Sequence, residues 1–521
     1  MNRGHVFVAH GDLLELACDS VLVPTDENFH VGRHWNRWKL SPEDAAQIQW
    51  RGRVTEPVTI GDQQVRYVKT GADRPEQDVK WLREGVGAAL AAAATDLDTR
   101  VALHRRERPL IAMPIIGVGA GGFDHQRGSA LEAVLEEAHD ATVLGIDVAV
   151  ICKTRADYSA VQFKRPDSHW SRDLTDVQLK EADDLGHKVQ HGEAALFLGA
   201  GVSMAAGLPD WSSLLLEIAH DSGYRGSGFS ALTSSDPLAA ASQLQEHLGE
   251  QFRQAIRDHL PDVPYAVGHA LLASLRVDEV ITTNVDALYE KAAHEPFEGR
   301  LKVLPWGRSP GRPPWLLKMH GDLEEGNLVF TAEQYELNDQ ENGPLGAIVQ
   351  ALLVTRHLVF VGYSLRDADF MRLADEVARI LHGRKASHTE VGTVLSVTPT
   401  RTPEHPWEHD LHVVQLGDEV DGVSPADARN LEIFLDRMAW RAARVEASWL
   451  LDQRYASLLD GDELQLVRAL QELEVPDKDP RWHDLRHLLR AYGREDMIER
   501  HRAGRASPPA SKAPRRKGKM K

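Results

Sequence analysis

Short apolar runs that alternate with amphipathic helical stretches constrain this chain more than any other feature. Such alternation commits a chain to α/β layers built on a mainly parallel sheet. It occurs twice. The first series, up to about Tyr158, reads "VFVAHGDLLEL", "SVLVPTD", "QVRYVKTG", a helix "QDVKWLREGVGAALAAAATDL", "PLIAMPIIGVGAGGF", a helix "GSALEAVLEEAHDATVLG" and "DVAVICKT". A polar stretch, "RADYSAVQFKRPDSHWSRDLTDVQ", reads as a linker. The second series starts near Leu179 with the helix "LKEADDLGHKVQHG" and the strand "AALFLGAG". A helical insertion between Ser212 and Pro261 follows, and then the strands "DEVITTN", "WLLKMHG", "NLVFT", "HLVFVGYS" and "GTVLSV". Beyond about Ser424 the pattern is helical and carries no motif. The expected architecture is therefore two α/β domains, residues 1–165 and 179–417, the second a Rossmann-like doubly wound parallel sheet with a helical insertion. A helical region, 418–505, and a disordered basic tail, 506–521, complete it. A chain of 521 residues is long enough to give each domain its own core.

Composition narrows the function classes. The 42% hydrophobic and 26% charged residues are those of a globular protein, and no apolar run approaches the roughly 18 residues of a spanning helix. The start, "MNRGHVFVAHGDLLEL", lacks the features of a secretory signal, so a cytoplasmic location and no membrane partner are expected. Two cysteines, Cys18 and Cys152, cannot form a four-cysteine zinc site within one chain. A net charge of −18 argues against a surface built for nucleic acid. The exception is the tail, "ASPPASKAPRRKGKMK", which is either a solubilising end or a nucleic-acid contact.

Chemistry concentrates where strands end. In "ALFLGAGVSMAAGLPDW", Gly199 and Gly201 remove side chains that would keep a pyrophosphate from the backbone, and Ser203 stands ready to donate to a phosphate or ribose hydroxyl. The plain structural reading is a strand-to-helix turn that needs glycine. "TTNVD" places Thr283, Asn284 and Asp286 at the next strand end, although Asp286 also suits a helix cap. "LKMHGDL" presents His320 after an apolar strand. "VFVGYSLRDADF" ends a strand with Gly362, Tyr363 and Ser364 ahead of a helix capped by Asp367 or Asp369. Thr331 and Gln334 in "TAEQYE" have capping-box spacing.

These four motifs in this order, over roughly residues 179–417, resemble the sirtuin family, specifically its bacterial sirtuin-like branch found in NAD-consuming phage-defence effectors. The resemblance implies that Gly199, Ala200, Gly201 and Ser203 hold NAD phosphates, with Thr283, Gly362 and Ser364 also at the cofactor. It implies that Asn284 and Asp286 lie near the nicotinamide ribose and that His320 is catalytic. Protein-deacylase sirtuins carry two Cys-x-x-Cys pairs for a structural zinc, and nothing of the kind follows "KMHG". The expected activity is metal-free hydrolysis of NAD to nicotinamide and ADP-ribose, with NAD as substrate. A protein deacylase or ADP-ribosyltransferase using NAD stands as one alternative, and a non-enzymatic nucleotide-binding regulator as another. A homo-oligomer, and a partner protein recruited by the C-terminal region, are further expectations.

In the first domain, "PLIAMPIIGVGAGGF" is a second apolar strand running into glycines, and "GDLLELACDSVLVPTDENF" opens the region. Together they resemble a divergent macrodomain, a fold that binds ADP-ribose and related nucleotides. The resemblance assigns a phosphate loop to Gly117, Val118, Gly119, Ala120, Gly121, Gly122 and Phe123 and an adenine contact to Asp12. "VPTDENFHVGRHW" stands where macrodomains carry an Asn-Ala-Ala-Asn run, so the expected role is a sensor of an ADP-ribose-type ligand rather than a hydrolase, with a degenerate α/β domain used for assembly as the alternative.

Overall fold

The computed structural model describes residues 3–494 except the short stretches 61–62, 71–77, 98–100, 309–313, 336–342, 366, 384–389, 399–405, 418–422 and 477–478. The tail expected at 506–521 lies outside the described residues. Among the described residues no helix is long and apolar enough to cross a membrane.

Eight strands form the first sheet: β1 (Val6–His10), β2 (Ser20–Thr25), β3 (Trp50–Arg51), β4 (Val54–Thr55), β5 (Val58–Ile60), β6 (Gln63–Lys69), β7 (Leu110–Pro114) and β8 (Asp147–Cys152). Their order is β1-β8-β7-β2-β6-β4-β3, with β5 also on β6. The run from β1 to β6 is parallel, as expected. The two- and three-residue antiparallel strands β3 to β5 are too short to show a periodicity in sequence.

The second sheet holds β9 (Ala194–Leu198), β10 (Glu279–Thr282), β11 (Lys302–Leu304), β12 (Trp315–Lys318), β13 (His357–Val361), β14 (Gly392–Ser396) and β15 (Leu411–Gln415). Its order is β11-β12-β10-β9-β13-β14-β15, and every pairing is parallel. The chain leaves β9 in one direction for β10 to β12 and then crosses to β13 on the other side, so β9 marks the topological switch point. The expected strand "NLVFT" does not form. The Val329 amide donates to the His320 carbonyl (3.0 Å), and Phe330 stacks on Trp211 with ring centroids 4.6 Å apart. That stacking closes the core of the helical insertion, whose helices run over Trp211–Asp221, Phe229–Ser235, Pro237–Leu248 and Gln251–His259.

The two sheets do not own separate cores. Val6 and Val8 of β1 face an outer core under the helices Val79–Leu97 and Arg127–Ala141. Phe7 and Ala9 face inward, into a core that also contains Leu196 of β9, Val280 of β10 and Val359 of β13. Three helices fill the space between the sheets: Asp176–Gln190, Val267–Ser274 and Pro425–Ala443. The helical region expected at 418–505 therefore divides. Pro425–Ala443 is an internal layer that buries Ile433, Phe434, Met438 and Trp440, whereas Gly461–Glu472 and His483–Ala491 form a small satellite around Val467 and Leu489.

The expected polar linker is likewise structural. Arg155–Lys164 is a helix, and Trp170 is fully buried. Its polar residues are there to satisfy one another. Arg165 donates twice to Asp436 (2.9 and 2.5 Å), and the Trp170 indole donates to the same carboxylate (2.9 Å). His5 Nε2 lies 2.9 Å from it. Burial pushes the Asp436 carboxyl up, but the charges and hydrogen bonds of Arg165 and His5 outweigh it and bring it down to about 2. A buried carboxylate is tolerable only when paired in this way.

Candidate functional site

The crevice outside the carboxyl end of an open α/β sheet, at its switch point, is where such folds place ligands. Here β9, β10, β12 and β13 deliver "GAG", "TTNVD", "KMHG" and "VGYS" to that crevice.

The glycines meet each other. The Gly199 amide donates to the Val361 carbonyl (3.0 Å) and the Gly201 amide to the Gly362 carbonyl (2.9 Å). A Cβ on Gly199 would lie 2.5 Å from the Gly362 oxygen, and one on Gly201 would lie 2.8 Å from the Gly362 Cα. Gly362 itself has φ +62°, and its Cβ would come within 2.5 Å of the Val202 nitrogen. These three residues are glycine because two loops cross backbone to backbone. The Ser203 amide is also spent locally, on the Ala200 carbonyl (3.0 Å).

Ser203, expected to reach a phosphate, is buried and committed to its neighbours. Its hydroxyl donates to Asp286 (2.9 Å) and accepts from the Asn284 amide (3.1 Å). His269 Nε2 stands 3.4 Å from the same oxygen. Asp286 uses its other oxygen to accept from the Leu288 amide (3.0 Å), so it also shapes the start of the helix Leu288–Ala293. Asn284 is held through its own backbone, whose amide donates to the Thr282 hydroxyl (3.0 Å). The Thr283 amide donates to the Leu198 carbonyl (3.2 Å), tying "TTNVD" to the end of β9. Burial lowers the His269 imidazole to about 4, with the Asp286 charge pulling the other way. A cavity of about 10 Å³, lined by Asn284, Asp286, His269 and Glu290, is room for one water.

His320 forms a second cluster. Thr282 pairs with Lys318 in the sheet register, so Asn284 and His320, each two residues further on, leave adjacent strands at the same level. His320 is buried, with Nε2 3.1 Å from Asp367 and 3.2 Å from the Tyr335 hydroxyl, which donates to Asp367 (2.8 Å). Burial works to raise the Asp367 carboxyl, but the His320 charge and hydrogen bonds from His320, the Phe370 amide and Tyr335 leave it below the usual range. Gln334 accepts from the Phe330 and Thr331 amides (2.8 and 3.2 Å), the expected capping box, and this turn carries Tyr335 to His320. Gly321 has φ +86°, and a Cβ there would strike the Asn327 oxygen at 2.1 Å. Glycine after His320 thus lets the loop fold back on itself.

Asp367 also caps the helix Ala368–Gly383 through the Phe370 amide (3.0 Å). The side chain of Asp369, the other cap expected from sequence, lies outside the described residues. Ser364 is exposed at the mouth of the crevice.

Sequence reasoning missed four contributors. His269 lies in the apolar stretch "VGHALLAS", which carries no motif. Lys318 is 1% exposed and donates to Glu290 (2.8 Å), Asp322 (2.5 Å) and the Asp286 carbonyl (2.7 Å). It thereby fixes the backbone beneath Asp286. A lysine closing an apolar strand was the available signal. Asp322 and Tyr335 offered no signal beyond their proximity to His320 and the capping box.

In the first sheet, Gly117 to Phe123 follow β7, and Asp12 follows β1. Gly117, Gly119 and Gly122 have φ of +95°, +70° and +89°. The Phe123 amide donates back to the Gly117 carbonyl (3.1 Å), and the Phe123 side chain is buried. Gly119–Gly121 form a short 3-10 turn through Ala120, and Val118 is half-buried. A Cβ on Gly119 would meet nothing within 4 Å, and one on Gly121 would lie 3.4 Å from the Thr70 carbonyl oxygen. The Asp12 carboxylate is paired with Lys153 (2.8 Å), which also binds Glu295 (2.7 Å). Tyr265 grips the Asp12 backbone, accepting from its amide (3.0 Å) and donating to its carbonyl (2.7 Å). Among the described residues one trio, His5, His169 and Asp436, brings metal-ligand atoms within 4.8 Å of one another. Arg165 already supplies the positive charge at Asp436 that a cation would bring.

Residues 278–410 match the model of a family described as "SIR2-like domain", so the chain contains such a domain. It starts at β10, and the glycine loop before it joins through Gly362. The chain is 26% identical over 210 residues to the NAD(+) hydrolase ThsA of Enterococcus faecium, covering 38% of this chain and 43% of that protein. It is 30% identical over 196 residues to the NAD(+) hydrolase ThsA of Bacillus cereus (strain MSX-D12), covering 35% and 40%. It is 28% identical over 207 residues to the defense-associated sirtuin 2 of Bacillus subtilis, covering 38% and 20%. The chain thus spans about two fifths or less of the length of these relatives.

Proposed function

We propose that the crevice at the carboxyl end of the second sheet binds NAD and hydrolyses its bond between ribose and nicotinamide, giving nicotinamide and ADP-ribose, in defence against phage. The observation that carries this reading is the side-by-side arrangement of the Ser203–Asn284–Asp286 and His320–Asp367–Tyr335 clusters at one switch point. The names of the relatives, NAD(+) hydrolase and defense-associated sirtuin, support it.

Cleavage of that bond develops positive charge on the ribose, so the protein must hold the sugar, stabilise the charge and deliver a water. Asn284, its amide fixed by Ser203, orients the ribose or the water. Asp286 faces the developing cation or the nicotinamide amide. His320 accepts a proton from a ribose hydroxyl or from the water. Asp367, held ionised, orients the imidazole and stabilises it once protonated. The crossing of Gly199, Ala200 and Gly201 with Gly362 forms the floor under the pyrophosphate, and Thr283 and Ser364 flank the nucleotide.

In this reading residues 1–165 are the sensor, with Asp12 and Gly117–Phe123 at an ADP-ribose-type ligand, and residues 179–417 are the catalytic unit. The hold of Tyr265 and of the Lys153–Glu295 pair on Asp12 supports communication between them, because Tyr265 lies two residues before the helix that carries His269. Coupling requires a ligand that favours one of two arrangements. Product analysis from NAD labelled in the nicotinamide and adenine moieties tests the chemistry. Nicotinamide and ADP-ribose in equal amounts without any acceptor is the expected result. Consumption only when an acyl-lysine peptide or an acceptor protein is added would favour the deacylase or transferase instead.

A further inference from the structure

At the other end of the same sheet, under the starts of β9, β10 and β12, lies a cavity of about 930 Å³. Ala194, Glu279 and Trp315 enter it at the amino ends of their strands, whereas Leu198 and Thr282, at the carboxyl ends of β9 and β10, border the NAD crevice. The two spaces are therefore separated by the length of the sheet.

Three arginines line this cavity, and two of them are neutralised. Arg356 donates to both oxygens of Glu279 (2.5 and 3.2 Å), and Arg155 donates to both oxygens of Glu446 (3.0 and 2.9 Å). Among the described residues Arg276 makes no such two-pronged pair, although Asp278 and Glu446 of the same lining, and Glu298, act on its charge. Its Nη1 is enclosed and makes no hydrogen bond among the described residues. Its backbone sits at φ +53°, a left-handed conformation uncommon for a residue with a side chain. Burial, with the neighbouring Arg155 charge behind it, holds the guanidinium below its usual value against the opposing pull of Glu446 and Glu298. An enclosed donor of this kind is costly unless an acceptor reaches it. A carboxylate or phosphate fits the guanidinium fork in two-pronged fashion.

The geometry points to a binding site in this cavity for a small molecule bearing a carboxylate or phosphate, anchored by Arg276 and flanked by Trp315. The site is independent of the NAD reading. Its walls come from the segment joining the sheets (Arg155), from the end of the helix carrying His269 (Ser274 to Arg276) and from the chain after Pro425–Ala443 (Glu446), so an occupant would tie these three parts together.

Titration calorimetry on the full chain, with inorganic phosphate, pyrophosphate and citrate as probes at matched ionic strength, tests this. The expected result is saturable binding of at least one probe, weakened by about tenfold or more in Arg276→Gln. Arg276→Lys, which keeps the charge but loses the fork, should fall between, and it serves if Arg276→Gln does not fold. Preference for pyrophosphate or for citrate distinguishes a phosphorylated ligand from a carboxylic acid. Lack of saturable binding with all three probes, or equal binding by both variants and the unaltered protein, would overturn the proposal.

Discussion

The carboxyl ends of the two sheets carry the same signature, an apolar strand running into glycines, yet the glycines do different work. In the second sheet Gly199 and Gly201 have no room for a side chain, because the backbone at Gly362 lies against them. In the first sheet Gly119 has open space around it and is glycine because its φ is +70°. Crowding marks a place where two loops must meet and hold the side chains beside them in register. An open, positive-φ turn marks a loop where backbone conformation alone asks for glycine. A glycine pattern alone does not tell these apart.

The largest expected stability effect breaks the crowded side of this comparison. Gly199→Ala should destabilise the protein by about 3 kcal/mol, because neither crossing backbone can retreat; denaturant unfolding would read it. A value near zero would mean the crossing is loose. Next is acid sensitivity at the same site. Folded His269 stays neutral down to about 4, while the unfolded chain takes up its proton near 6.5. Its contribution to stability is therefore complete above that value and is lost as pH falls from 6.5 toward 4, at about 2 kcal/mol between pH 7 and pH 5. His269→Gln should remove that share of the pH dependence and leave the shares of His10 and His357, both also lowered to about 4 by burial.

Smaller effects sharpen the other side. Tyr265→Phe strips two hydrogen bonds from Asp12 and should cost roughly 1 to 2 kcal/mol. If the first domain is a sensor, it should also reduce any effect of added ADP-ribose on NAD cleavage. Gly119→Ala should cost about 1 kcal/mol or less, a purely conformational penalty. A cost as large as that of Gly199→Ala would erase the distinction between the two loops.

Much of the second sheet was legible because β9, β10, β12 and β13 are apolar runs that stop abruptly at glycine or polar residues. What stayed hidden depends on distance along the chain. Asp367 read as a helix cap, which it is, but its contact with His320 joins residues 47 apart and leaves no periodic trace. Lys318 and His269 are polar residues inside apolar elements, and their partners, Glu290 and Ser203, come from elsewhere. The segment around Arg165 and Trp170 read as a linker because its polarity was visible and the Asp436 that neutralises it was not. The shared core escaped for the same reason. Periodicity shows that a helix such as Pro425–Ala443 has apolar faces, without saying that two sheets will cover them.

The central claim is that the paired clusters at the switch point cleave NAD, and release of nicotinamide by the full chain beside its His320→Ala variant tests it most directly. The account predicts acceptor-independent release by the unaltered chain and a loss of about 10²- to 10⁴-fold in a variant that remains folded. Equal release by both proteins would contradict it.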